Sequence, residues 1–120
     1  MCGIAGIWSP AGGRVDAARL RAMTRALRHR GPDGNGQTVV GRVALLHNRL
    51  SIIDLVTGDQ PLFAGHAALV ANGEIYNYRE LRAAMPGVAF ATNSDAQTAC
   101  CRFTTIRLQL PSPRPQRRWR

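Results

Sequence analysis

Cys2 is the residue of this sequence best placed for covalent chemistry. It follows the initiator in Met1-Cys2-Gly3-Ile4-Ala5-Gly6-Ile7-Trp8. A side chain this small lets the methionine be trimmed, which leaves a thiol and a free α-amine on one residue. That amine titrates near ~8, far below a lysine, so it can serve as a local base and take the thiol's proton. The thiolate is the attacking species. A second-position cysteine alone is a weak signal, but four further stretches look unlike ordinary structural sequence. They are His29-Arg30-Gly31-Pro32-Asp33-Gly34, His47-Asn48-Arg49-Leu50-Ser51-Ile52-Ile53-Asp54, Asn72-Gly73-Glu74-Ile75-Tyr76-Asn77-Tyr78 and Thr92-Asn93-Ser94-Asp95.

Cleaving the side-chain amide of an amino acid requires a nucleophile, donors for an oxyanion, a cation for the substrate carboxylate and an anion for its ammonium. Arg49 can clamp a carboxylate bidentately. Asn72 and Gly73 can offer a side-chain amide and a backbone N–H to a tetrahedral oxyanion. Asp95 can pair with the ammonium. Singly, each has an ordinary reading: an Asn-Gly pair is a turn, an arginine a surface charge, an aspartate a helix cap. His29, His47 and His66 show no ligand spacing and read as structural or exposed. Nothing ties Asp54 and Asp59 to acid–base work.

Taken together, Met1-Cys2-Gly3-Ile4 and these four stretches make residues 1–95 resemble the class II glutamine amidotransferase domain in its asparagine synthetase version. The resemblance implies that Cys2 attacks the side-chain amide of L-glutamine, with Asn72 and Gly73 assisting, to release ammonia and then glutamate. It implies a glutamine pocket lined by Arg49, Leu50, Ser51, Ile52, Ile53, Asn72, Gly73, Glu74 and Asp95. Arg30 to Gly34 would be a loop near the nucleophile with backbone duties. The implied fold is α+β, a four-layer α/β/β/α sandwich of the N-terminal nucleophile hydrolases, of which residues 1–95 make about the first half. The partners implied are L-glutamine and either a synthetase domain or a homodimer partner. No Ser-Gly-Gly-x-Asp-Ser pyrophosphate loop occurs, so ATP and magnesium would belong to a synthetase domain outside this segment, which is expected to need no cofactor.

Charge divides the chain at the same place. Residues 1–95 hold ten arginines against all seven acids, whereas residues 96–120 hold six arginines and no acid; lysine is absent throughout. The segment 96–120 therefore reads as a basic, Pro/Arg-rich tail, disordered or the product of a shifted reading frame. The alternative to an enzyme is a non-enzymatic remnant, or a nucleic-acid-binding module using the arginines and Trp119 of residues 102–120. A hydrophobic content of 45% is sufficient for a core. Three cysteines without Cys-x-x-Cys spacing make neither a disulfide framework nor a zinc site. The absence of a long apolar run or a basic-then-apolar leader points to the cytoplasm and away from membranes.

The elements that must position these residues can be read from periodicity. Residues 2–8 form a strand. A helix starts at Asp16 as N-cap, with Val15 and Leu20 stapling it, Leu20, Met23 and Leu27 facing inward, and Gly31-Pro32 stopping it. Val43 to His47 and Ala68 to Ala71 are strands, Tyr78 to Met85 is a short helix, and Val88 to Ala91 is a further strand.

Overall fold

The computed structural model describes residues 1–10, 13–52 and 56–109, and of 105–109 the backbone alone. The sheet is built around the strand that carries Arg49. Strand β1 (Gly3–Trp8), helix α1 (Ala17–Ala26) and strands β2 (Gly34–Val40) and β3 (Val43–Arg49) come first. Strands β4 (Leu62–Ala64) and β5 (Ala67–Leu69) and helices α2 (Tyr78–Ala83) and α3 (Asp95–Gln109) follow. The unit is a small mixed α/β fold with two antiparallel sheets, β1-β3-β2 and β4-β5.

In the central strand, alternate side chains point to opposite faces. Ala44 and Leu46 pack with Leu20 of α1, and Ala5, Ile7, Val15, Met23 and Leu27 complete this core. Asn48 continues the same face and donates from Nδ2 to the Thr24 carbonyl at 2.7 Å. Leu45, His47 and Arg49 take the other face. The register pairs Ile4 with His47 and Gly3 with Asn48, which brings the start of the chain beside the end of β3. On that second face Ile4, Trp8, Val40 and Val43 are exposed.

Helix α1 is specified much as its sequence suggests. The Asp16 side chain accepts from the Ala18 N–H at 2.8 Å, and Val15 and Leu20 both enter the core. The helix ends at Ala26 with Leu27 as C-cap, and a turn leads to Gly31. A Cβ at Gly31 would stand 2.1 Å from the Asn48 carbonyl oxygen. Only a bare backbone can cross β3 there.

Several expectations from sequence are corrected. Strand β2 went unread because Gly34, Asn35, Gly36 and Gln37 lack strand propensity; its pairing with β3 along the full length supplies what propensity does not. Strand β4 was also unread, and the strand placed at 68–71 runs Ala67–Leu69. The helix from Tyr78 ends at Ala83 rather than Met85. Val88 to Ala91 is not a strand; Phe90 instead packs beneath the Arg82 guanidinium, 4.4 Å from its ring centre.

The largest correction concerns the segment after Asp95. Residues 95–109 form helix α3, so 96–109 is not a structureless tail. Basic charge begins only at Arg102, and before it Ala96, Gln97, Thr98, Cys100 and Cys101 are small or mid-sized and buried. The helix packs on β4 and β5. The Gln97 Nε2 donates to the Phe63 carbonyl at 3.0 Å and the Thr104 hydroxyl to the Ala64 carbonyl at 3.4 Å. The remainder of the basic stretch, residues 110–120, lies outside the described residues.

Candidate active site

Cys2, Arg49, Leu50, Ile52, Asn72, Gly73, Glu74 and Asp95 all line one cavity of about 420 Å³, within the ~300–1,000 Å³ of small-molecule sites. They come from four separate regions of the chain. Of the other residues read from sequence, Ser51 is not among those lining it, and Ile53 lies outside the described residues.

Cys2 sits against Leu50, the residue that follows β3. Its Sγ accepts from the Leu50 N–H at 3.4 Å and lies 3.6 Å from the Leu50 carbonyl oxygen, to which the thiol donates. Met1 also lines the cavity. The loop before β2 buttresses this corner: the Asp33 N–H donates to the Arg49 carbonyl at 3.0 Å, and the Asp33 carboxylate accepts from the Ser51 N–H at 2.7 Å. The loop that includes Asp33 thus holds the 49–51 backbone in place, and Ser51 contributes through its N–H.

The buried Arg49 side chain bonds the exposed Asp59 carboxylate through Nη1 at 2.7 Å. His47, two residues earlier on the same strand face, is fully buried, and its Nε2 has no hydrogen-bond partner among the described residues. Burial first, and the Arg49 charge second, hold its pKa below the ordinary histidine value, with Asp59 pulling the other way. The imidazole is therefore neutral at pH 7.

Asp95, which also lines the cavity, begins α3, and its Oδ2 accepts from the Ile75 N–H at 2.6 Å. Arg82 of α2 fixes this junction. It donates to the Thr92 and Ser94 carbonyls at 2.9 and 2.8 Å and to the Thr98 hydroxyl at 2.9 Å. Gln60, which also lines the cavity, accepts at Oε1 from the Ala71 N–H at 2.7 Å, directly before Asn72 and Gly73.

Sequence reasoning missed His47, Gly58, Gln60, Ala71, Tyr76 and Ser94 as lining residues. Of these, His47, Tyr76 and Ser94 lay inside stretches singled out for chemistry. Nothing local in Thr57-Gly58-Asp59-Gln60 marks it as a cavity wall. A second cavity of about 600 Å³ lies between β5 and α3 and is mostly apolar, with Leu69, Cys100 and Phe103 among its walls. Burial, and then neighbouring Cys101, push the Cys100 thiol up from its ordinary pKa. Among the described residues no helix is long and apolar enough to cross a membrane.

Comparisons with known proteins give the family. A glutamine amidotransferase domain family matches residues 1–105, and the chain belongs to that family. Its relatives include the asparagine synthetase (glutamine-hydrolyzing) of Sandersonia aurantiaca, 41% identical over 100 residues, which cover 81% of this chain and 19% of that protein. Asparagine synthetase (glutamine-hydrolyzing) 2 of Bacillus subtilis is 40% identical over 102 residues, 81% of this chain and 14% of the relative. The corresponding protein 1 of Arabidopsis thaliana is 41% identical over 100 residues, 81% and 17%. The chain thus spans less than a fifth of the length of these relatives. The family match runs ten residues past Asp95, where the resemblance read from sequence stops, and into the part of α3 that had been assigned to a tail.

Proposed function

We propose that this chain is the glutamine-hydrolysing part of an asparagine synthetase, with Cys2 as its nucleophile. The observation that carries the reading is the convergence of Cys2, Arg49, Asn72, Gly73 and Asp95 on one cavity. In this reading Arg49 binds the α-carboxylate of L-glutamine and Asp95 its α-ammonium, while Leu50, Ile52 and Glu74 form the walls.

Removal of Met1 frees the α-amine of Cys2. The amine takes the thiol proton, and the thiolate attacks the carboxamide carbon. The carbonyl π electrons move to oxygen, where the Asn72 amide and the Gly73 N–H stabilise the oxyanion. Collapse breaks the C–N bond. The leaving nitrogen takes the proton held on the Cys2 amine and departs as ammonia. Water then attacks the γ-glutamyl thioester, the amine again taking the proton, and glutamate leaves as the thiol is restored.

The likeness to the relatives points to asparagine formation as the fate of the ammonia, using ATP and magnesium at a synthetase site beyond residues 1–120. The layering supports an N-terminal nucleophile sandwich: α1 lies on the β1-β3-β2 sheet, α3 lies on the β4-β5 sheet, and the apolar second face of the larger sheet is bare at Trp8, Val40 and Val43. The test is release of glutamate and ammonia from L-glutamine by the 120-residue chain freed of Met1, beside Cys2→Ala. The reading expects turnover in the first and none in the second. Turnover that survives Cys2→Ala would overturn it.

A further inference from the structure

Two adjacent residues, Asp59 and Gln60, tie together two separate stretches that line the cavity. The Asp59 carboxylate bonds Arg49 at 2.7 Å, and the Gln60 Oε1 bonds the Ala71 N–H at 2.7 Å. Arg49 is the proposed partner of the substrate carboxylate, and Ala71 immediately precedes the proposed oxyanion donors Asn72 and Gly73. One peptide unit therefore spans between the two groups whose separation a substrate must match.

That peptide unit is itself anchored. The Gln60 carbonyl lies against β2 so closely that a Cβ at Gly36 would stand 1.9 Å from its oxygen. Gly58, just before the pair, is buried and lines the cavity. Asp59 is not among the lining residues, so it holds Arg49 from outside while the arginine itself faces the cavity.

We propose that Asp59-Gln60 is a ruler that sets the distance between Arg49 and the Asn72-Gly73 donors, and thereby selects a γ-carboxamide over the β-carboxamide one methylene shorter. The proposal rests on the glutamine-site reading above. Glutamine and asparagine share the α-amino and α-carboxylate groups and differ only in how far the amide lies from them. A methylene in a shaped site is worth about 10–200-fold in discrimination. The two bonds are unequal. Asp59 is 82% exposed against 8% for Arg49, so its hold is screened by water and salt. The Gln60 bond, between two half-buried residues, carries the larger share.

The test is calorimetric titration of L-glutamine and L-asparagine, separately, onto the 120-residue chain carrying Cys2→Ala, which removes turnover. The same titrations follow on that background with Gln60→Met, close in shape but without the acceptor, and with Asp59→Asn. Any electrostatic change at Arg49 cancels in the ratio of the two affinities, because both ligands present the same α-carboxylate. The ruler expects the glutamine preference to fall by about tenfold in Gln60→Met, as for one hydrogen bond of ~1.4 kcal/mol, and by less in Asp59→Asn. Parallel loss of both affinities, or an unchanged ratio in both variants, overturns the ruler and leaves the glutamine site standing. If Gln60→Met does not fold, the exposed Asp59→Asn decides. Failure of the parent to bind either amide overturns the glutamine site and the ruler with it.

Discussion

Cys2 and Leu50 bond one another in both directions: the Leu50 N–H donates to the Cys2 sulfur at 3.4 Å, and the thiol donates to the Leu50 carbonyl at 3.6 Å. Leu50 follows Arg49 directly, so the nucleophile is positioned by the strand that presents the carboxylate anchor.

From this follows a prediction about thiol reactivity. Cys2 is half-buried, whereas Cys100 and Cys101 are buried in α3. Cys100 is further protected because burial raises its pKa, leaving less thiolate at neutral pH. Brief treatment of the native chain with iodoacetamide at pH 7.5 is expected to give one adduct, at Cys2, with the helix thiols at least ~10-fold slower. Unfolding in urea should level the three. Peptide mass spectrometry reads the sites, and comparable native labelling of Cys100 would contradict this account of the helix.

Arg82 offers a second prediction. Its three bonds reach the two carbonyls before Asp95 and the hydroxyl of Thr98, and its guanidinium covers Phe90. Arg82→Ala leaves these partners without their donor and is expected to cost about 2–4 kcal/mol. Arg82→Lys should recover only part, since an ammonium cannot reproduce a planar fork. Urea midpoints measure both, and full recovery by lysine would show that charge alone matters here.

How far the sequence could be read depended on how local each cause was. Helix α1 was legible because Asp16, Val15 and Leu20 act within one turn of each other. Cys2, Arg49, Asn72, Gly73 and Asp95 were legible as types suited to amide cleavage. Gln60 was not, because its role comes from an N–H eleven residues away. Strand β2 was hidden for a similar reason: its glycines look like a loop until the approach of Gln60 to Gly36 is known. Helix α3 was obscured by composition, since the run of small residues from Ala96 declares no periodic apolar face and is buried only by the β4-β5 hairpin.

Burial of His47 predicts an acid-sensitive fold. Its pKa is lowered in the folded chain, so below the unfolded value of ~6.5 the unfolded state binds the extra proton and gains. Stability should hold above that value and decline as pH falls below it. His47→Gln, which cannot ionise, should flatten this part of the profile. Thermal unfolding across pH 5 to 8 measures it, and an unchanged slope in the variant would assign the acid sensitivity to other groups.

The last prediction contrasts Gly36 of β2 with Gly73, which lines the cavity. A Cβ at Gly36 would meet the Gln60 backbone at 1.9 Å, whereas nothing lies within 4 Å of a Cβ at Gly73. Backbone cannot swing aside as a side chain can, so Gly36→Ala forces β2 and the Gln60 peptide apart. It should cost about 1–3 kcal/mol, as overpacking does. Gly73→Ala should stay within about 0.5 kcal/mol of the parent, and its N–H remains where the oxyanion is proposed to form. Urea titrations of the two variants test the contrast. If both are neutral, β2 has room to move, and the close approach of Gly36 to Gln60 is not what seats the 59–60 peptide between Arg49 and Ala71.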